Sequence, residues 1–197
     1  SLPDEIEKKG THKTIIYIGR IAPAKGVKQL LQAYQKLDVS AESKLVCVGP
    51  IKDGYLDRLE TKAATPEKKI VFTGPVEHER IFESLVDADI AAAPYQPLRK
   101  NILSRANSRK LLEYMGVGLP VIGPDFGGMA TLIETSNAGI CVDTTDPCSI
   151  ARGIERLFED HEYSKSLGEN GRQTIESDYR LENQIDKIEM VLNDSLK

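Results

Sequence analysis

Short apolar runs alternate along this chain with longer stretches in which apolar residues recur at helical spacing, the pattern of a parallel sheet covered by helices on both faces. Runs rich in Val, Ile or Ala at 14–18, 44–48, 70–72, 89–93, 120–122 and 139–142 predict strands, and Gly or Pro follows closely after most of them. Between the first two runs, Val27, Leu30, Leu31, Tyr34 and Leu37 fall at i, i+3, i+4, i+7 and i+10. That spacing places all five on one helix face, facing the sheet. Further helices are predicted over 54–64, 78–86, 108–117 and 129–134, with three more after Asp146. In the last of these Leu181, Ile185, Ile188 and Leu192 form an apolar stripe, read as docking on its own domain. No internal repeat or Pro/Gly/Ser-rich linker divides the chain, so the expected fold class is α/β, a doubly wound parallel sheet of about six strands.

Length agrees with that picture, since 197 residues with 40% hydrophobic content can bury one substantial core but not two full-sized ones. A formal charge of -4 argues against a general nucleic-acid binder, which needs a basic excess to neutralise phosphates. The chain shows no run of eighteen apolar residues, and its first twenty lack the apolar core of a signal peptide. A cytoplasmic location is therefore expected. The chain opens on Ser1 rather than Met, which reads as a processed or excised piece. Cys47, Cys141 and Cys148 are odd in number and lack metal-ligand spacing, and His12, His78 and His161 are scattered among polar residues. No metal site is expected.

Ligands of open parallel sheets bind beyond the carboxyl ends of the strands, which directs attention to the loops there. The first is Gly19-Arg-Ile-Ala-Pro-Ala-Lys-Gly26. Gly19 lets backbone approach a ligand, Arg20 can grip two phosphate oxygens through its planar fork, and Lys25 adds a point charge beside a helix start. The loop suits a diphosphate, although exposed Arg and Lys in such loops also occur simply as solvated groups, and the Gly-x-Gly-x-x-Gly fingerprint is absent. The second is 99–110, where Arg99, Lys100, Arg105, Arg109 and Lys110 occur without a single acid. It ends at a predicted helix start, with Asn107 and Ser108 as N-cap residues and the apolar period beginning at Leu111, so free backbone N–H groups would add to anion binding. Glu113 lies in the first turns of that helix. It could accept hydrogen bonds from two ribose hydroxyls, or simply complement the helix dipole.

Taken together these pieces resemble a known family, the GT-B glycosyltransferases that retain anomeric configuration, in the group 1 or family 4-like branch. The match is to their C-terminal, nucleotide-sugar-binding domain, a Rossmann-like half of the GT-B fold. It runs through Ile15-Ile-Tyr-Ile-Gly-Arg20 with Lys25-Gly26, Lys44-Leu-Val-Cys-Val-Gly49, Val71-Phe-Thr-Gly74, Ala88-Asp-Ile with Pro94, Lys110-Leu-Leu-Glu-Tyr-Met-Gly-Val-Gly-Leu-Pro-Val-Ile122 and Gly139-Ile-Cys-Val142. The resemblance implies a donor-binding domain over 14–178, preceded by a linker or end segment at 1–13 and followed by a C-terminal helix at 179–197. It implies that Arg20 and Lys25 hold the donor diphosphate as the catalytic pair and that Glu113 binds the ribose. The loop Gly74-Pro75-Val76 is implied to read the base, with Gly19, Arg105, Ser108, Arg109, Lys110 and Leu111 completing the donor site.

The resemblance further implies that the substrate is a nucleoside-diphosphate sugar and that neither cofactor nor metal is needed, because cationic side chains and a helix start take the leaving-group charge. Many members carry a second glutamate eight positions before the one matching Glu113; here that count lands on Arg105, which suits an anionic sugar or a phosphate instead. The acceptor-binding domain, and any peripheral membrane contact made through it, would precede Ser1. The isolated chain is therefore expected to bind nucleotide weakly and turn nothing over. Two alternatives remain, a nucleotide-sugar epimerase of the same architecture and a noncatalytic nucleotide-binding relative.

Overall fold

The computed structural model describes residues 13–38, 43–55, 59, 68–102 and 108–179. Six strands, β1 (Lys13–Ile18), β2 (Ser43–Val48), β3 (Lys68–Gly74), β4 (Ile90–Ala92), β5 (Val121–Pro124) and β6 (Gly139–Val142), form one sheet. Its order is β3-β2-β1-β4-β5-β6, with every neighbouring pair parallel. Each predicted strand is present, shifted by at most two residues at either end. Parallel neighbours require crossovers, and among the described helices α1 (Val27–Lys36) joins β1 to β2, α2 (His78–Val86) joins β3 to β4, α3 (Arg99–Ile102) and α4 (Arg109–Gly116) join β4 to β5 and α5 (Gly127–Thr135) joins β5 to β6, while α6 (Pro147–Glu159) and α7 (His161–Asp178) follow the last strand.

Residues of the central strands β1, β4 and β5 alternate between two buried faces, as a sheet covered on both sides demands, while the edge strands β3 and β6 are only partly buried. Ile15, Tyr17, Leu45, Cys47, Ile90 and Ala92 join the α1 stripe and α6 in one apolar cluster. Ile16, Ile18, Val48, Ala91 and Ala93 join Leu111, Tyr114 and Met115 of α4 in the other. The predicted stripe Val27, Leu30, Leu31, Tyr34 and Leu37 is buried throughout, although Leu37 sits at the C-cap, just past the end of α1. Each such side chain contributes roughly 1.5–3 kcal/mol through burial.

Of the helices expected after Asp146, α6 and α7 are present, and the third lies outside the described residues. The helix expected over 54–64 also falls largely outside them, with residues 52–55 forming a turn closed by Tyr55 N donating to Lys52 O (2.9 Å). Asp146 caps α6 by accepting from Cys148 N (2.9 Å) and Ser149 N (3.1 Å). Helix α7 lies close against α4 because Gly168 and Gly171 carry no side chain there. A Cβ on Gly168 would fall on the Gly118 carbonyl oxygen, and one on Gly171 would meet Met115 Cγ at 3.3 Å.

The strand order reverses between β1 and β4. From β1 the chain winds outward through β2 to β3, then returns to β4 and winds outward the other way to β6. Only two residue pairs, Ile15 with Ile90 and Ile16 with Ala91, are in register between β1 and β4. Beyond them the strands part, opening the crevice in which doubly wound sheets take their ligands.

Candidate functional site

The crevice is held open by a side chain. Tyr114, fully buried on α4, places its hydroxyl between the parted strands, accepting from Ile18 N at 2.8 Å and lying 3.5 Å from the Ala92 carbonyl. Burial raises its pKa well above the ordinary tyrosine value, so it serves as a neutral phenol. Tyr114, in the segment Lys110 to Ile122, thus spans the split in the sheet.

Strands β1, β2 and β3 end in Gly19, Gly49 and Gly74, all with positive φ. Gly19 N donates to Val48 O (2.8 Å) and Gly49 N to Gly74 O (2.9 Å), which lines the three up across the carboxyl edge. A Cβ on Gly19 would fall on Lys110 Nζ, so the space a side chain would fill is taken by the ammonium group. Gly26, at φ 71, lies against the Pro94 carbonyl and lets the β1 loop close upon the loop after β4.

Cations converge on this crevice from two elements. Lys25, at the end of a short 3-10 turn after β1, places Nζ 4.2 Å from the centre of the Tyr95 ring. Lys110, from the first turn of α4, places Nζ 4.4 Å from the Tyr17 ring centre and 5.2 Å from that of Tyr95. The Lys110 ammonium donates to Tyr17 Oη (3.4 Å), which donates in turn to the Arg20 carbonyl (2.8 Å). Burial, reinforced by the like charge of Lys25 and opposed by Glu113, brings the Lys110 pKa down to about 7. Burial also drives the Tyr17 hydroxyl far above its usual range. Arg20 is exposed at the rim, beside a cavity of about 250 Å³ that it lines with Pro50, Ile51, Lys52 and Asp53.

Helix α4 begins at Ser108, in extended geometry and with no side-chain cap on the first turn. Its Oγ lies 3.2 Å from Tyr95 Oη instead, so the serine expected to cap the helix ties it to the β4 loop. Leu111, expected to contact the donor, is fully buried in the core, and its amide donates to Ser108 O at 2.8 Å. It offers a ligand neither side chain nor free amide. Glu113 lies partly buried on α4, Arg109 is exposed at the helix start, and Arg105 falls outside the described residues. Gly74, Pro75 and Val76 stand at the end of β3, two strands from β1, where a Cβ on Gly74 would meet nothing. Arg99 and Lys100, expected in a basic loop, form the exposed turn α3.

Several residues that build the site were not singled out from the sequence. Tyr95 stands just beyond β4, and its carbonyl accepts from Thr144 Oγ1 at 2.6 Å. Gln96 Nε2 donates to Thr144 O (2.8 Å), and Asn101 Nδ2 donates to Gln96 O (2.7 Å) and Ala24 O (3.3 Å). This network fixes the β4 loop to the loops after β1 and β6. The available signal was position, since a tyrosine and two amides directly following a central strand sit where ligand loops gather.

The family model for glycosyl transferases group 1 matches residues 2–174. Among curated proteins, the chain is 25% identical over 189 residues to N-acetyl-alpha-D-glucosaminyl L-malate synthase of Bacillus anthracis, covering 95% of this chain and 47% of that protein. The chain spans about half the length of such relatives. In fold it is similar to Anabaena HepE, crystallised in complex with UDP, with a TM-score of 0.77 at 18% identity over 93% of this chain and 49% of that one. It is also similar to the C-terminal domain of the group 1 glycosyl transferase LpcC from Francisella tularensis, with a TM-score of 0.72 at 20% identity, covering 86% of this chain and 87% of that one. With the family model covering most of its length and the same fold recurring in these enzymes, the chain belongs to the glycosyl transferases of group 1.

Proposed function

We propose that this domain binds the nucleoside-diphosphate sugar of a retaining glycosyltransferase and supplies the positive charge that receives the leaving diphosphate. The observation that carries the reading is the convergence of Lys25 and Lys110 on one tyrosine ring at the β1/β4 crevice, next to the uncapped start of α4. A diphosphate lying across Gly19 meets a bare backbone there, two ammonium groups and a helix N-terminus, each favourable to an anion. Arg20 closes the phosphates from the rim, Glu113 receives the ribose hydroxyls, and the Gly74-Pro75-Val76 loop borders the base.

In this reading the chemical contribution is electrostatic. As the bond between the sugar and the diphosphate breaks, negative charge grows on the bridging oxygen, and Arg20 and Lys25 stabilise it more than they stabilise the intact donor. Acceptor binding belongs to a further domain, and the isolated chain binds donor without turning it over. HepE holds UDP in its crystal structure, which makes UDP the first nucleotide to try.

A thermal-shift series with UDP, GDP, ADP and CMP tests the reading. A ligand at one hundred times its Kd stabilises the folded state by about 2.7 kcal/mol, enough for a clear rise in Tm. Absence of any shift at millimolar nucleotide overturns donor binding. Anomeric configuration of the product, read by NMR on the enzyme with both domains, tests retention, and an inverted product overturns that part alone.

A further inference from the structure

Tyr95 is 7% exposed and fixed by its own backbone, with its amide donating to Ala93 O (2.8 Å) and its carbonyl accepting from Thr144 Oγ1 (2.6 Å). Against this fixed ring lie the ammonium groups of Lys25 and Lys110, at 4.2 and 5.2 Å from its centre. Its hydroxyl reaches Ser108 Oγ at the start of the helix that carries Lys110. Neither lysine is in an ion pair among the described residues. Two like charges gathered in a crevice repel, and a flexible lysine stem gives each an easy path into water. The negative face of an aromatic ring opposes both tendencies without neutralising either charge.

We propose that Tyr95 is a positioning residue for anion recognition: its ring holds Lys25 and Lys110 together ahead of the diphosphate. The proposal rests on the donor-site reading above. It differs from a contact with substrate, because the ring acts on the ligand only through the lysines. A carboxylate in the same place would hold the lysines more strongly, but it would also repel the incoming phosphates. A neutral ring orders the cations and leaves their charge for the ligand.

Calorimetry on the 197-residue chain at pH 6, where both lysines are charged, tests this with two probes, UDP and inorganic pyrophosphate, the second carrying the anion without base or ribose. Tyr95→Leu is expected to bind both about tenfold more weakly, and Tyr95→Phe to stay within about twofold of the parent chain. Pentafluorophenylalanine at position 95 nearly matches phenylalanine in shape but reverses the charge of the ring face. It is expected to fall with Tyr95→Leu, and it keeps the test available if the leucine variant does not fold. Equal affinity of the phenylalanine and pentafluorophenylalanine proteins overturns the positioning role, as does an effect on UDP without one on pyrophosphate, which is direct stacking on the base. Failure of the parent chain to bind either probe overturns the donor reading and this role with it, whereas binding that ignores the ring overturns the role alone.

Discussion

At pH 8 the binding of a nucleoside diphosphate to this domain is expected to take up close to one proton, and the group that takes it is Lys110. Its pKa of about 7 arises first from burial between the Tyr17 and Tyr95 rings and next from the charge of Lys25, with Glu113 pulling the other way; Tyr114 lies on the same helix. At pH 8 about one lysine in ten is then charged in the free domain. A bound diphosphate places negative charge beside the amine and restores its affinity for a proton, so uptake approaches about 0.9 at pH 8 and falls to about 0.1 at pH 6. The terminal phosphate loses its last proton near pH 6, so by pH 8 it contributes nothing further.

Since the complex binds more protons than the free domain above pH 7, affinity declines as pH rises, by up to about tenfold per unit. Calorimetry at pH 8 in buffers of different ionisation enthalpy measures the uptake directly, and Lys110→Met is expected to abolish it. An apparent binding heat that does not vary with buffer at pH 8 refutes the argument. The same group affects folding in the opposite sense to a paired lysine. The unfolded chain holds the extra proton between pH 7 and 10.5, so this lysine makes the ligand-free domain more stable as pH rises through that window.

Three substitutions test other parts of the structure. Gly19→Ala places a methyl on Lys110 Nζ at a φ of 127, and UDP affinity is expected to fall at least tenfold, measured by calorimetry; unchanged affinity removes Lys110 from the anion site. Tyr114→Phe leaves the Ile18 amide unpaired in the core and is expected to cost about 1–3 kcal/mol in urea unfolding, with a loss under 0.5 kcal/mol counting against the hydroxyl's role at the strand split. Gly168→Ala drives a methyl onto the Gly118 carbonyl and is expected to lower stability by about 1–3 kcal/mol, with an unchanged Tm contradicting the close approach of α7 to the turn after α4.

The sheet was legible because its central strands are buried on both faces and so read as apolar runs, while α1 announced itself through a stripe from Val27 to Leu37 that has only one face to bury. The start of α4 was legible through Ser108, but its hydroxyl was not: capping propensity is local, whereas Tyr95, thirteen residues earlier, drew the side chain away. The resemblance placed Leu111 among donor contacts with Lys110, yet consecutive helix residues point about 100° apart, and that rotation sends Lys110 to the crevice and Leu111 to the core. Tyr17 and Tyr95 carry no motif of their own. They became visible only when strand order brought β1 and β4 together, a pairing made across more than seventy residues of chain.

The hydroxyl of Tyr114 at the strand split has a mechanical consequence. A crevice bounded by ladder hydrogen bonds widens only when backbone pairs break, but along this line the Ile18 amide is satisfied by a side chain that can rotate. The line between β1 and β4 carries two residue pairs in register, the Asp89 amide donating to Thr14 O (2.9 Å) and one phenol. Parting of β1 from β4 at this point releases the Ile18 amide, which makes that amide its natural reporter in deuterium exchange, protected while the Tyr114 hydroxyl is bonded and exchanging when the strands separate.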